Sequence, residues 1–172
     1  NLHYLQSDHA AAAQMFETAL AFQAANHDRR SHSITLGNYA SLLHDMGKFP
    51  EAVAAFDKAI SELEGVGDRR GQAIRLGKTA TLPRKLDRAN DALQQLNRAD
   101  SLIANSNDLH THGSAQCERA LCLLALGSFE NASDSWAKGS AALREAGDTD
   151  SLARMESEMQ ELCRAQGIEV LK

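Results

Sequence analysis

Histidine and cysteine are the residues of this sequence best suited to metal binding or nucleophilic chemistry, and the chain has seven histidines and three cysteines. His110 and His112 are two positions apart, so a helix would direct them to different faces. Cys117 and Cys122 lie five positions apart, a spacing that suits small buried packing residues better than a zinc pair. No phosphate-binding loop, H-E-x-x-H zinc motif or G-x-S-x-G nucleophile turn occurs. The sequence therefore predicts no enzyme, cofactor or metal site.

Cysteine count, charge and hydropathy indicate where the protein works. Three cysteines cannot all pair within one chain, which is typical of a reducing compartment and predicts a cytoplasmic protein. A net charge of −5 lacks the basic excess of a nucleic-acid binder, and no apolar run approaches the ~20 residues of a membrane span. The chain begins at Asn1 without a signal peptide, so we expect a piece of a longer protein.

Similar residues recur every 40 positions, and this period organises the whole chain. Four columns show the period most clearly. One repeats an aspartate, two repeat a small residue, and one repeats a bulky apolar residue. They are Asp28, Asp68, Asp108 and Asp148; Ala19, Ala59, Ala99 and Gly139; Ala12, Ala52, Ala92 and Ala132; and Phe16, Phe56, Leu96 and Trp136. So many aligned columns indicate an array in which each unit buries its apolar face against the next.

Each period predicts two helices. Apolar residues between positions 30 and 46 form one helical stripe. Gly47 can supply the left-handed residue that ends this helix. Pro50 suits the first turn of the next helix, and Asp68 can cap the helix after that. Small residues such as Ala40 and Ala52 would let the paired helices approach closely.

The predicted fold is a single all-α domain over residues 1–172, an α-solenoid of antiparallel helix pairs. Its predicted parts are a partial first repeat (1–27), full repeats at 28–67, 68–107 and 108–147, and a closing helix with a tail (148–172). In the partial repeat we expect residues 1–6 to be the tail of a missing helix and residues 9–26 to form a second helix. The pairs are expected at about 30–65, 69–104 and 109–146, and the closing helix at 149–166. Pro83 is expected to bend its helix or stop it early.

The repeat columns resemble the tetratricopeptide repeat family. The residues that carry this resemblance are Leu36, Asn38, Tyr39, Ala40, Gly47, Lys48, Phe49, Ala52, Phe56 and Ala59, followed by Gly67 and Asp68. The family unit is about 34 residues long, so a 40-residue unit is similar to its longer-helix subclass. The resemblance implies a right-handed superhelix whose concave groove is lined by the first helix of each pair.

The resemblance also implies a function, which is to bind a peptide or a partner helix in that groove as a scaffold or adaptor. The groove positions it implies are Asn38, Ser41, His44, Lys78, Thr81, Arg84, Lys85, Glu118, Leu121 and Leu124. The alternative is a peptide-sensing or small-effector-sensing domain of a larger bacterial-type regulator. Homo-oligomers are expected to form through the uncovered end helices, chiefly at the face of Ala12, Phe16 and Ala19.

Two groups of groove residues have competing interpretations. Arg84 and Lys85 could recognise an acidic partner, or they could be solvated residues that complement a helix dipole. Leu121 and Leu124 could be an exposed apolar contact site, or the third pair could be rotated so that the core buries both leucines.

Overall fold

The protein is all-α, as the period predicts. The computed structural model describes the backbone of residues 2–85 and 88–171 and the side chains of residues 8–81, 84 and 88–171. Helices account for 84% of the chain, and the described backbone contains no strand. The helices are α1 (Leu2–Ala25), α2 (Arg29–Asp45), α3 (Phe49–Gly65), α4 (Arg69–Lys85), α5 (Ala89–Ile103), α6 (Leu109–Ala125), α7 (Phe129–Glu145) and α8 (Thr149–Gln166).

Neighbouring helices pack in consecutive pairs, and the outer bounds expected for the three pairs and for the closing helix agree with the structure to within one residue. The turn glycines have left-handed backbones, with φ of 74° at Gly47 and 73° at Gly127. Pro50 lies in the first turn of α3. The aspartate column caps helices, because the carboxylates of Asp28, Asp108 and Asp148 accept hydrogen bonds from the third backbone N–H that follows each of them.

The chain forms two compact units, residues 1–75 and residues 76–172, whose boundary falls within α4. In the first unit the buried core includes Leu36, Ala40, Phe56 and Leu63. In the second unit an apolar cluster joins α6, α7 and α8 and includes Trp136, Leu143, Met155 and Met159. Ala40 and Ala52 are completely buried, in agreement with their predicted role at a close helix contact.

Helices α6 and α7 approach most closely at two glycines. A Cβ atom added to Gly139 would lie 2.6 Å from both the backbone nitrogen and Sγ of Cys117, and one added to Gly113 would lie 2.8 Å from Cγ of Leu143. Real Cβ atoms do not approach other heavy atoms so closely. Glycine at column 139, where the earlier repeats carry alanine, therefore permits a tighter crossing.

The expectation for the first helix was wrong, and α4 does not stop early at Pro83. Residues 2–25 form one continuous helix rather than a short tail followed by a helix over 9–26. Ser7 stands at the column of Gly47, so this stretch lacks the glycine that makes the left-handed turn. Helix α4 continues through Pro83 to Lys85. Pro83 lies in its last turn, where a missing donor removes one intrahelical hydrogen bond. Asp87 stands at the repeat column of Gly47 and lies outside the described residues.

Helix α1 is only partly covered. Ala12, Phe16 and Ala19 are half-buried rather than exposed, and the Phe16 ring lies 5.8 Å from the Tyr39 ring of α2. Among the large apolar side chains of α1 that the structure describes, Met15 (74%) and Phe22 (70%) are exposed. Self-association through α1 remains a prediction. We now expect the contact between copies to centre on Met15 and Phe22.

Candidate functional site

Three of the implied groove residues lie along α2 in the first unit: Asn38, Ser41 and His44. Asn38 is exposed, and its Oδ1 accepts a hydrogen bond from Nη1 of the buried Arg75 at 3.2 Å. Gly37 makes room for this arginine, because a Cβ atom there would lie 2.6 Å from Cδ of Arg75. An arginine can only donate, so the carboxamide is oriented with its oxygen inward and its NH2 group available to a ligand.

The other two residues of this α2 face are half-buried. The Ser41 hydroxyl donates to the Gly37 carbonyl at 3.2 Å. His44 Nδ1 lies 3.1 Å from Asp45 Oδ1, and the His44 ring meets the Phe49 ring edge-on with centroids 5.5 Å apart. Asn38 is therefore the polar side chain of this face that a partner can reach most easily.

Helix α4 carries four more of the implied residues, of which Arg84 is described below. Lys78 is exposed, and Thr81 is half-buried with its hydroxyl donating to the Lys78 carbonyl at 2.9 Å. The side chain of Lys85 lies outside the described residues. Lys78 and Thr81 belong to the second unit, as do the other implied residues of α4 and α6.

The expectation that Arg84 and Glu118 face a partner was wrong, because both side chains are buried. Arg84 is 7% exposed and Glu118 is 2% exposed. Arg84 Nε donates to Glu118 Oε1 at 2.6 Å, and Arg84 Nη2 donates to Glu158 Oε2 at 2.5 Å. Arg154 lies 3.8 Å from the other oxygen of Glu158. We call Arg84, Glu118, Glu158 and Arg154 the charge network.

The charge network is electrically closed. Two arginines face two carboxylates across α4, α6 and α8, so the formal charges cancel. Complete burial raises the pKa of Glu118, while the Arg84 guanidinium opposes that rise. The pKa of Arg84 is raised although burial lowers it, because both glutamates favour its charged form. The buried charges of Arg84 and Glu118 are satisfied inside the protein, so these two side chains are not available to a partner.

Leu121 and Leu124 are also buried rather than exposed, at 0% each, so the expected apolar contact site was wrong. Both belong to the apolar cluster of α6, α7 and α8. The competing interpretation, that the core buries them, is the correct one. The backbone around them is also held, because Gln166 of α8 donates to the Leu124 carbonyl at 2.9 Å.

Sequence reasoning missed a cleft of about 200 Å³ in the first unit, at the end of α1, the turn that follows and helices α2 and α3. We call it the polar cleft. Its lining residues are Gln23, Ala24, His27, Asp28, Arg29, His32, Lys58 and Glu62. His32 Nδ1 lies 2.7 Å from Glu62 Oε2, and both side chains are largely buried. The repeat columns hold a signal for this site, since Gln23 stands where later repeats have Leu63, Ile103 and Leu143.

Neither cysteine chemistry nor metal binding has support among the residues described. All three cysteines are free and buried. Burial raises the pKa of Cys117 and of Cys122 to about 12, so these thiols are not reactive. His110 pairs with Asp148 at 2.7 Å, and His112 lies against the Ser106 carbonyl. A search of the described part of the chain finds no group of three ligands that could hold a metal ion.

No protein-family model matches the chain, and no curated protein matches it significantly. The resemblance to tetratricopeptide repeats therefore rests on the repeat columns. Of the helices in the described residues, none is long and apolar enough to cross a membrane.

Proposed function

We propose that this chain is a protein-interaction module that binds a peptide or a partner helix on the α2 face formed by Asn38, Ser41 and His44. The orientation of Asn38 is the observation that carries the proposal. With its oxygen held inward, the Asn38 carboxamide can donate its N–H groups to a backbone carbonyl, which every residue of an extended peptide carries. Arg75 fixes the Asn38 oxygen, which lowers the entropy lost when the NH2 group binds a peptide carbonyl.

We propose no catalytic role for the module. Its proposed tetratricopeptide-like arrangement of helices would present helix faces to partners. Three buried, unpaired cysteines support a reducing, cytoplasmic setting. The net charge of −5 favours protein partners over nucleic acid. The burial of Arg84, Glu118, Leu121 and Leu124 removes them from the candidates, so the proposed site is the α2 face of the first unit. In the second unit, taken by itself, Lys78 and Thr81 of α4 remain candidate contact residues.

Peptide selection from a displayed random library tests this proposal. Peptides selected on the full chain should bind Asn38→Ala about tenfold more weakly, because a directed hydrogen bond is lost. Asn90→Ala is the matched control, since Asn90 is an exposed asparagine on α5, and it should leave affinity unchanged. Equal binding by all three proteins, with unchanged unfolding midpoints, would show that peptides do not use the α2 face.

The polar cleft favours a second candidate function, the sensing of a small effector. Two of its side chains, Gln23 and Glu62, are polar at columns where the later repeats carry Leu63, Ile103 and Leu143, or Leu102 and Ala142. A sensor would bind its effector in the cleft and pass the change to an adjoining domain. Effector binding that survives Asn38→Ala would separate this function from peptide binding on α2.

A further inference from the structure

The polar cleft departs from the packing pattern that the rest of the chain repeats. Three positions equivalent to Gln23 are buried apolar residues, namely Leu63, Ile103 and Leu143. The positions equivalent to Glu62 are Leu102 and Ala142. A solenoid gains stability from an apolar residue at such columns. Polar residues at two of these columns, facing one cleft, therefore indicate a binding role rather than a packing role.

One polar atom of the cleft lacks a protein partner. Gln23 Nε2 donates to Thr35 Oγ1 at 3.0 Å, whereas Gln23 Oε1 is buried and accepts no hydrogen bond from the described residues. Leaving a buried acceptor without a donor is unfavourable. A ligand with an N–H group would satisfy this oxygen if a rotation of the Gln23 side chain turned it towards the cleft.

Two cations on the cleft wall provide contacts for a carboxylate. The two acidic residues have partners of their own, since the exposed Asp28 accepts a hydrogen bond from the Ser31 backbone N–H and Glu62 pairs with His32. Arg29 and Lys58 remain as the cations that line the cleft. They would attract an anion, while the nearby carboxylates would disfavour a doubly charged one such as phosphate.

The turn backbone is also unusual. His27 has φ of 56°, whereas Gly67 and Gly147 hold the same column at 70° and 72°. A residue with a side chain rarely adopts this conformation, and such residues are concentrated at functional sites. The strained turn puts an imidazole on the wall of the cleft, which a glycine could not do.

We propose that the polar cleft binds a small carboxylate ligand that also carries an N–H group, either a free amino acid or the acidic residue of a peptide. The carboxylate is held by Arg29 and Lys58, and the N–H group donates to Gln23 Oε1. The volume of about 200 Å³ equals that of on the order of seven water molecules at ~30 Å³ each, which suits a ligand of this size. The site does not depend on the proposed α2 face.

Calorimetric titration of the full chain with four probes tests the ligand class. L-Aspartate represents a free amino acid, and N-acetyl-aspartate amide represents an acidic residue within a peptide. Succinate has the aspartate skeleton without the amine, and inorganic phosphate is a simple anion. At least one aspartate probe should bind, and succinate and phosphate should bind about tenfold more weakly. Whether the free or the capped aspartate binds better identifies the source.

Two variants and a control locate the binding. Lys58→Gln and Gln23→Leu should each weaken the aspartate probe about tenfold. Gln23→Leu should still fold, because it restores the apolar residue of its column. Lys138→Gln is the matched control, since Lys138 is an exposed lysine at the repeat position of Lys58, and it should not change the affinity.

Three results would overturn the proposal. Neither aspartate probe binds at concentrations up to about 10 mM, succinate or phosphate binds as tightly as aspartate, or Lys138→Gln weakens binding as much as Lys58→Gln. Amide chemical shifts that change outside residues 23–32 and 58–62, and not within them, would also place the ligand elsewhere.

Discussion

The charge network and the polar cleft are both clusters of polar side chains on neighbouring helices, but they differ in how completely the protein satisfies them. In residues 76–172, Arg84 is bonded to both Glu118 and Glu158 at 2.6 and 2.5 Å. In residues 1–75, the cleft leaves Gln23 Oε1 without a donor and two cations on its wall. A closed cluster fixes the arrangement of helices, whereas an open one can bind a ligand. The role of a polar cluster in a solenoid therefore depends on which of its polar atoms have no partner within the protein.

The largest effect should come from opening the charge network. Arg84→Met leaves Glu118 buried without its cation, which should lower the free energy of unfolding by about 3–5 kcal/mol. Arg154→Met is the control, because Arg154 is largely exposed and should cost at most about 1 kcal/mol. Urea denaturation measures both.

A double variant sharpens this test. Arg84→Met combined with Glu118→Leu removes both buried charges and should recover much of the lost stability. A cost for Arg84→Met no greater than that for Arg154→Met would show that the network is not closed, and Arg84 would again be a candidate for partner binding.

Close packing in the second unit gives the next largest effect. Gly139→Ala would place a Cβ atom 2.6 Å from the Cys117 backbone nitrogen, and such overpacking should cost about 1–3 kcal/mol. Gly77→Ala is the control, since its added Cβ would meet nothing within 4 Å. This second variant should raise the helix stability by up to about 1 kcal/mol. Equal unfolding midpoints for the two variants would contradict the close crossing of α6 and α7.

Filling the polar cleft should stabilise the protein, whereas Arg84→Met and Gly139→Ala should destabilise it. Gln23→Leu replaces an unsatisfied buried oxygen with the apolar residue found at positions 63 and 143. We expect the free energy of unfolding to rise by roughly 1 kcal/mol. Gln14→Leu, an exposed change on the same helix, should have little effect because glutamine and leucine have similar helix propensities. A destabilised Gln23→Leu would mean that the first unit needs this glutamine for its own structure.

The smallest effect concerns the cap of α4. A hydrogen bond from the Gly71 backbone N–H holds the pKa of Asp68 below its ordinary value, and Arg30 acts in the same direction. Because the folded-state pKa is lowered, the stabilisation is complete above the unfolded-state pKa of ~3.9 and is lost as pH falls through the folded value. Asp68→Ala should cost about 1 kcal/mol at neutral pH.

Thermal unfolding as a function of pH measures this difference. The gap between the wild type and Asp68→Ala should close in acid, below the ordinary aspartate pKa. A gap that stays constant between neutral pH and about pH 2.5 would show that the carboxylate charge does not stabilise α4.

The position and length of the helices could be predicted from the sequence because their causes are local. The left-handed residue at Gly47 and the caps at Asp28 and Asp148 act within a few residues of the helix end. A 40-residue period then repeats these signals along the chain. The error at α1 has the same local origin. Neither Ser7 nor Asp8 is a glycine, so nothing at these positions ends the helix.

Burial of the candidate site residues was decided only by the tertiary structure. Arg84 meets carboxylates that lie 34 and 74 residues further along the chain, and the amphipathic pattern of α4 carries no information about them. The covering of Leu121 and Leu124 likewise depends on the combined packing of α6, α7 and α8. Local sequence thus determined where each helix begins and ends. Which charged and apolar side chains remain available to a partner depends on contacts between helices distant in sequence, and these exist only once the chain has folded.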